Sequence, residues 1–225
     1  MNIILITSII DTPNIPLSYC NIRSVFSKKE RYEQTKKTIE SVKKIPNSKI
    51  FLVECSDLNN EEKEYFENNV DIFINLFELN NENLIYNIHS KSKSLGEGTM
   101  TIYALNYLFE NNINFKNFFK ISGRYYLNDK FNYNIFDNED VIIQCYNDNL
   151  FASTMLYKQP YFISKLWYNF LLNSNHLFSN YESYERVHGL FIIELKSNPD
   201  VKNIIDCKTL GVSGNISVCG GYVES

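Results

Sequence analysis

The sequence predicts an α/β fold, a single domain in which helices flank a mostly parallel central sheet. Short apolar runs alternate with amphipathic helical segments through the first half of the chain, the order expected of βαβ units. These runs are continuous instead of alternating with polar residues, as in strands that are covered on both faces. With 225 residues and 44% hydrophobic side chains, the chain is long enough to bury a substantial core.

The first strand is predicted at residues 2–8, where the sequence NIILITS is apolar and rich in β-branched side chains. Ser27 is the predicted N-cap of the first helix, because Glu30 three residues later completes a capping box. We expect this helix to run to about residue 44. Its apolar positions recur at spacings of three and four and predict one buried stripe, made of Tyr32, Thr35, Ile39 and Val42.

Three further strands are predicted in the first half of the chain, at residues 49–55, 70–75 and 118–122. Helices are predicted at 60–68 and from about 98 to 110. The resulting order is βαβαβ, a loop, and then αβ. This order favours parallel strands joined by right-handed crossovers.

Beyond residue 126 the pattern changes to mixed elements. Strands are predicted at 140–146 and 151–157, and the polar residues between them indicate a hairpin-like link. Helices are predicted at 160–172 and 181–196. A last short strand is expected between residues 201 and 212, and the glycines near the end of the chain predict a loose tail.

Charge, cysteine content and hydropathy exclude several classes of protein. The net charge is −4 and no block of five basic residues occurs, which argues against binding of duplex nucleic acid. The five cysteines are scattered and lack CxxC spacing, so neither a disulfide framework nor a zinc site is predicted, and reduced cytoplasmic thiols fit best. No apolar run approaches 18 residues, and the apolar N-terminus lacks the basic region of a signal peptide. We therefore expect a cytoplasmic protein without a membrane span.

Two segments predict a binding site for a phosphorylated small molecule, of which a nucleotide-sugar fits best. One is a glycine-containing helix start, whose free N–H groups and dipole attract phosphate. The other is the end of the strand at 118–122, where an arginine can hold the same phosphate with a bidentate fork. Open α/β sheets bind ligands at such strand ends. The predicted site residues are Lys93, Ser94, Gly96, Gly98, Ser122, Gly123 and Arg124.

Several segments resemble a group of viral and bacterial GT-A-type glycosyltransferases, which includes the capsid glycosyltransferases of chlorella viruses. The similar segments lie within about the first 130 residues, and the remainder matches only in outline. They are residues 23–27 (RSVFS), 30–35 (ERYEQT), 54–56 (ECS), 91–99 (KSKSLGEGT) and 120–125 (KISGRY). The resemblance implies a donor-nucleotide half at 1–127 and an acceptor half at 128–225 within one GT-A-like domain.

The resemblance also implies where a donor binds. It places the nucleotide against Thr7, Ser8 and Ile9 after the first strand and against Glu54 after the second. Arg23 and Arg31 are further candidates for contacts with the diphosphate or the base, and a solvated helix face is the alternative for Arg31.

GT-A enzymes usually carry Asp-x-Asp at the strand end that is occupied here by Ser122, Gly123 and Arg124, and those carboxylates hold Mn²⁺ or Mg²⁺. No Asp-x-Asp occurs in this chain. Arg124 is the predicted substitute for the missing metal charge. Asp129, a few residues on, keeps metal dependence open.

An inverting transferase needs a carboxylate that accepts the proton of the acceptor hydroxyl. Glu182 and Glu185 are the candidates, since GT-A relatives often place an acidic base at a helix start; support of the helix dipole is the competing explanation. Asp148 is a weaker candidate, and His188 is either an assisting base or a structural residue.

The sequence thus predicts a glycosyltransferase that moves a sugar from an NDP-sugar, with UDP-sugar preferred, to a glycan or glycoprotein acceptor. Inversion is preferred over retention, because no covalent nucleophile stands out.

Two alternatives stay open. One is a sugar nucleotidyltransferase, although the first loop is poor in glycine and basic residues. The other is a non-catalytic nucleotide-sugar-binding or scaffold domain, which the missing Asp-x-Asp favours. The resemblance places the protein in a bacterium or a virus-infected host cell.

Overall fold

The computed structural model describes residues 1–138, 140–201 and 203–225. The first half of the chain contains four strands and four helices: β1 (Asn2–Ser8), α1 (Lys28–Val42), β2 (Ser48–Glu54), α2 (Asn60–Asn69), β3 (Ile72–Asn75), α3 (Glu82–His89), α4 (Lys93–Glu110) and β4 (Asn117–Ser122). The second half contains shorter strands and two long helices: β5 (Tyr125–Leu127), α5 (Tyr133–Phe136), β6 (Val141–Ile143), β7 (Cys145–Tyr146), β8 (Phe151–Ala152), β9 (Leu156–Pro160), α6 (Tyr161–Ser179), α7 (Tyr184–Lys196), β10 (Ile204–Asp206), β11 (Val212–Asn215) and β12 (Tyr222–Glu224).

A seven-stranded sheet with the strand order β3-β2-β1-β4-β9-β6-β10 forms the centre of the molecule. Six of its strands run in one direction, and β9 is antiparallel to both of its neighbours. All seven residues of β1 are buried, as the continuous apolar run predicts. The predicted α/β class, with a mostly parallel central sheet flanked by helices, is confirmed.

Alternate residues of the sheet face two separate cores. Ile3 and Leu5 of β1 pack with apolar residues of α4, α6 and α7 on one face. Ile4 and Ile6 pack with residues of α1 and α2 on the other. Both faces of the sheet are therefore covered, which leaves the strand ends as the place where polar groups from several elements meet.

Helix α1 begins as predicted. The Ser27 side chain accepts a hydrogen bond from the backbone N–H of Glu30, and the Glu30 carboxylate accepts one from the backbone N–H of Ser27. The predicted stripe is buried, and Thr38 joins it. The capping box thus fixes where the chain enters the helix after the long loop of residues 9–27, called here the first loop.

The prediction for residues 76–98 was wrong. An additional helix, α3, fills part of the predicted loop, and α4 begins at Lys93 instead of near residue 98. The helix starts early because the Ser92 side chain caps it, accepting from the backbone N–H of Leu95 at 3.2 Å and donating to the Phe178 carbonyl at 2.8 Å.

The second half of the chain was predicted only in part. A hairpin does form between residues 140 and 157, but only β7 and β8 belong to it, while β6 and β9 join the central sheet. Helix α6 extends to Ser179, seven residues beyond its predicted end. Within the described residues, no helix combines the length and the apolar character that a membrane crossing requires.

The expected loose tail is instead a small antiparallel sheet with the strand order β12-β11-β5. β5 follows Arg124 directly, and Gly214 of β11 lies so close to it that an added Cβ would stand 2.4 Å from the Arg124 carbonyl oxygen. The turn between β11 and β12, residues 216–221, is called here the C-terminal turn. This sheet brings the end of the chain to the carboxyl end of β4.

Candidate functional site

A cavity lies at the carboxyl ends of β1 and β4, and four basic side chains line it. We call it the cation cavity. Predicted site residues from separate parts of the chain meet there: Thr7, Ser8, Ile9, Arg23, Arg31, Lys93, Ser122 and Arg124. The carboxyl ends of adjacent parallel strands face the same edge of a sheet, so the topology accounts for this convergence.

The cation cavity also lies where the connectivity of the sheet reverses. From β1 the chain steps outward through β2 to β3, and it then returns to the other side of β1 as β4. The loops after β1 and β4 therefore diverge in opposite directions and leave a crevice between them. Ligands of open α/β sheets bind at such a reversal.

Within the described residues, none of the four basic side chains of the cavity is paired with a carboxylate. Arg23, Arg31, Lys93 and Arg124 form no ion pair with any acidic residue in the described part of the chain. All four are partly buried, where charge is poorly screened by water. Uncompensated positive charge at this depth makes the cavity a favourable position for an anion.

Hydrogen bonds to the protein hold the basic groups in place. Nε of Arg31 donates to the carbonyl oxygen of Ile9 at 2.6 Å. Nζ of Lys93 donates to Oγ of Ser217 in the C-terminal turn at 3.3 Å. Nη2 of Arg124 donates to the Tyr125 hydroxyl at 3.2 Å. Each group keeps further N–H donors for a ligand, since a guanidinium has five and an ammonium has three.

Arg23 also fixes the first loop. Its guanidinium donates to the carbonyl oxygens of Ile88, His89 and Ser90 at 3.0, 3.3 and 2.6 Å, at the carboxyl end of α3. A positive charge stabilises this end of a helix. Most of its hydrogen-bonding capacity is therefore used within the protein, so it contributes mainly charge to the cavity.

Burial and mutual repulsion act together on the basic groups. Burial, and after it the nearby charge of Arg124, lower the pKa of Arg31 to about 10. Burial, followed by the charge of Arg124, holds the pKa of Lys93 well below its usual value. A bound anion favours the charged forms of both groups and offsets their mutual repulsion, so the free energy that this repulsion costs in the empty site is recovered on binding.

A buried ion pair lies beneath the cation cavity. The Lys120 side chain is wholly buried and pairs with Glu97, whose Oε1 also accepts a hydrogen bond from Ser122 Oγ at 3.1 Å. Burial holds the pKa of Lys120 well below its usual value. Glu97 was not among the predicted site residues, because the start of α4 was predicted too late. Lys93 and Glu97 are four residues apart, so a helix that begins at Ser92 would have placed both on one face.

A second cavity adjoins the first, with Lys93, Glu97 and Arg124 lining both. We call it the side cavity. Glu185 and Ser94 line it, and Oε1 of Glu185 accepts a hydrogen bond from Thr154 Oγ1 at 3.1 Å. An acidic group thus lies in a cavity that shares two of the basic side chains and that the ends of β1 and β4 do not line.

Comparisons with known proteins give similarity only in structure. No family model matches the chain, and no curated protein sequence matches it. Mouse xyloside xylosyltransferase 1 in its apo form is similar over 93% of this chain and 86% of that chain, with 10% identity and a TM-score of 0.49. A protein of Desulfovibrio desulfuricans G20 described as a nucleotide-diphospho-sugar transferase is similar over 87% of this chain and 75% of that chain, with 8% identity and a TM-score of 0.46.

A nucleoside-diphosphate-sugar pyrophosphorylase of Vibrio cholerae RC9 is similar over 86% of this chain and 88% of that chain, with 8% identity and a TM-score of 0.44. At TM-scores below 0.5, these similarities decide nothing about the chemistry of this chain. Its own side chains have to supply that evidence.

Three predicted glycines do not contribute free backbone N–H groups to the cavity. Gly96 and Gly98 lie inside α4, so the prediction that they form a loop before the helix was wrong. An added Cβ would stand 2.7 Å from the Ile88 carbonyl oxygen at Gly96, and 2.7 Å from the Phe178 ring at Gly98. At Gly123 it would stand 2.9 Å from Cβ of Ser8. These glycines allow close packing beside the site.

Glu54 lies beneath the cavity instead of on its wall. It is 0% exposed, and its Oε1 accepts hydrogen bonds from the backbone N–H groups of Ile10 and Cys55 and from Ser56 Oγ. Burial raises its pKa, and these hydrogen bonds act in the opposite direction. In this structure Glu54 ties the first loop to the end of β2 and has no surface that faces the cavity.

The structure separates the remaining acidic and basic candidates. Glu182 is exposed and precedes α7, so it does not line the side cavity as Glu185 does. Asp129 is fully exposed and lies 3.8 Å from Lys44, outside both cavities. His188 is buried against Tyr157 and Trp167, and burial lowers its pKa to about 3. The structural explanation therefore fits His188.

Proposed function

We propose that this protein is a glycosyltransferase whose cation cavity binds the diphosphate of a nucleoside-diphosphate sugar, with a UDP-sugar as the preferred donor. The observation that carries the proposal is the group of four basic side chains in the cavity at the ends of β1 and β4, none of which is paired with a carboxylate in the part of the chain that the structure describes. A diphosphate is the common small-molecule group that offers matching negative charge and several acceptor oxygens. The acceptor is a glycan or a glycosylated protein that enters through the side cavity.

The arrangement of acidic and basic groups supports a single displacement with inversion. The acceptor hydroxyl attacks the anomeric carbon of the sugar, and its proton passes to Glu185. The bond between that carbon and the diphosphate oxygen breaks, and the nucleoside diphosphate leaves with the electron pair. Arg124 and Lys93, which line both cavities, stabilise the charge that grows on the leaving group.

The size of the cavities implies that donor binding moves part of the protein. The cation cavity has a volume of about 60 Å³ and the side cavity about 180 Å³, whereas pockets for whole ligands typically have volumes of about 300–1,000 Å³. Neither volume reaches this range, so we expect Tyr19, a largely exposed residue of the first loop that lines the side cavity, to move aside when a donor enters.

Isothermal titration with UDP and a panel of UDP- and GDP-sugars, each with and without Mn²⁺, tests the proposal. Binding of at least one donor is expected. An assay of slow donor hydrolysis then separates an enzyme from a non-catalytic binding domain, and release of pyrophosphate from an NTP plus a sugar phosphate would identify a nucleotidyltransferase. The absence of binding to every donor in both conditions would contradict the proposal.

A further inference from the structure

The end of β4 offers no carboxylate pair that fits a divalent cation. The family resemblance implies Mn²⁺ or Mg²⁺ held by Asp-x-Asp at this position, where the chain has Ser122, Gly123 and Arg124. Hard divalent cations prefer carboxylate and carbonyl oxygens. Among residues 1–138, 140–201 and 203–225, no group of three or more His, Cys, Asp or Glu side chains is arranged to hold a metal ion.

Glu97 is the one acidic side chain that lines the cation cavity in the described part of the chain, and its charge is already compensated. It pairs with Lys120, which is wholly buried, and its Oε1 accepts a hydrogen bond from Ser122. A metal ion at Glu97 would compete with Lys120 for the same carboxylate and weaken the pairing of a buried ammonium. Leaving a buried charge unpaired is strongly unfavourable.

The other nearby carboxylates are also engaged or lie elsewhere. Glu185 lies in the side cavity and accepts from Thr154, while Glu54 is buried beneath the sheet edge and accepts from two backbone N–H groups. Asp129 is exposed beside Lys44. The acidic residues that flank the site therefore do not converge on one point, as ligands of a shared cation would.

The basic residues of the cavity also disfavour a divalent cation. At an Asp-x-Asp site, the two positive charges of the metal ion meet the two negative charges of the aspartates. Such a site is close to neutral before the diphosphate binds. Here a divalent cation would enter a cavity lined by four basic side chains, and like charges repel strongly where they are partly buried. The site has positive charge where the metal-dependent arrangement has negative charge.

We infer that this protein binds the diphosphate of its donor without a divalent cation, the charge being supplied by Arg23, Arg31, Lys93 and Arg124. The inference rests on the proposed function, since it concerns the same site and the same ligand. The side chains at this position therefore differ from the metal-binding pattern of the family that this chain resembles.

The decisive experiment compares UDP binding to the wild-type protein in excess EDTA with binding in millimolar Mn²⁺ or Mg²⁺, by isothermal titration. We expect the two dissociation constants to agree within fivefold. Binding that is fivefold or more tighter with either metal overturns the inference and leaves the proposed function standing. No binding of UDP or UDP-sugars in either condition overturns both.

A variant of Glu97 separates a metal ligand from an ion-pair partner. Glu97→Gln removes a negative charge next to the diphosphate, so we expect UDP binding in EDTA to be retained or tightened. A metal ligand would behave differently: the same change would weaken binding in Mn²⁺ by tenfold or more, and this result would overturn the inference. If the variant does not fold, as judged by circular dichroism, the wild-type comparison in EDTA decides alone.

A matched control corrects for general effects of charge. Lys43 follows α1 on the protein surface and pairs with Glu40. It lies about 18 Å from Arg31 along the helix axis, at 1.5 Å per residue. We expect Lys43→Ala to leave UDP binding in EDTA unchanged within twofold, whereas Arg124→Ala weakens it tenfold or more. Equal losses in both variants would indicate long-range attraction and would overturn the inference.

Discussion

Arg124 is one of three side chains that line both cavities, and its surroundings keep its guanidinium in a fixed plane. The guanidinium carbon lies 4.7 Å from the centre of the Tyr125 ring, and Nη2 donates to the hydroxyl of the same tyrosine. Stacking on an aromatic ring and a hydrogen bond to its edge restrict the rotation of the fork. The group is therefore preorganised before any ligand arrives, and less entropy is lost on binding.

Replacement of Arg124 by alanine should weaken UDP binding by about 1.5–3 kcal/mol, the range for a hydrogen bond to a charged group. In an isothermal titration this corresponds to about a 10- to 150-fold increase in the dissociation constant. Arg124→Lys should recover part of the loss, because it restores the charge but not the fork. An unchanged affinity in Arg124→Ala would remove this residue from the site.

Lys93 should make UDP binding depend on pH. Burial and the charges of Arg124, Arg31 and Arg23 lower its pKa, and Glu185 raises it. Lys93 is protonated below this lowered pKa and loses its charge as the pH rises through it, so affinity should fall with rising pH below the usual value of 10.5.

The measurement is the UDP dissociation constant across a pH series, with Lys93→Arg as the control. Arginine stays protonated throughout, so the dependence on pH should flatten in this variant. If wild type and Lys93→Arg have the same pH profile, Lys93 is not the group that titrates on binding.

The position at which helix α7 begins separates the two candidates for the general base. Ser183 caps the helix, so Glu182 lies before the first turn and is exposed, while Glu185 lies within it and lines the side cavity. Glu185→Gln should lower kcat for sugar transfer by about 10²–10⁴-fold, as expected on loss of a general base, with little change in UDP binding. Glu182→Gln is the matched control and should leave kcat within a few-fold. Equal effects of the two changes would contradict the assignment.

Elements whose ends are set by local side chains were predictable, and those set by distant contacts were not. The capping box of Ser27 and Glu30 identified the start of α1. The start of α4 was missed because Gly96 and Gly98 resemble a loop in sequence, whereas both are needed for close packing against α3 and α6. The tail was missed because β11 has the sequence VSGN, which has weak strand propensity and forms a strand only through pairing with β5 and β12.

The same distinction applies to the candidate site. Arg124 and Lys93 were recognisable because they adjoin a strand end and a helix start. Ser217 was not recognisable, because it lies 124 residues from Lys93 in the sequence. The small sheet brings the two residues together only in the folded protein. Glu97 was missed together with the true start of its helix. Contacts of this kind depend on tertiary packing and leave no pattern in a single sequence.

Across the whole molecule, the buried His188 should limit stability in acid. Burial, followed by the charge of Lys120, lowers its pKa from 6.5 to about 3. The folded protein therefore keeps this imidazole neutral, and the stabilisation is fully present above pH 6.5 and is lost as the pH falls toward 3.

The measurement is the free energy of unfolding in urea at several pH values between 6.5 and 4. His188→Gln should flatten its slope by up to about 1.4 kcal/mol per pH unit, the value for one proton. His176→Gln changes an exposed histidine of α6 and should keep the wild-type slope. If both variants keep that slope, His188 does not control the acid sensitivity.

Ser217 lines the cation cavity and connects the C-terminal turn to the first loop. The backbone N–H of Val25 donates to the Ser217 carbonyl oxygen at 2.8 Å, and Ser217 Oγ donates to the Arg23 carbonyl oxygen at 3.4 Å. During synthesis the arginines and Lys93 emerge well before Ser217, so the pocket is completed only when the last strands dock. The completed cavity thus depends on the last residues of the chain as much as on the first loop, although 194 residues separate Arg23 from Ser217.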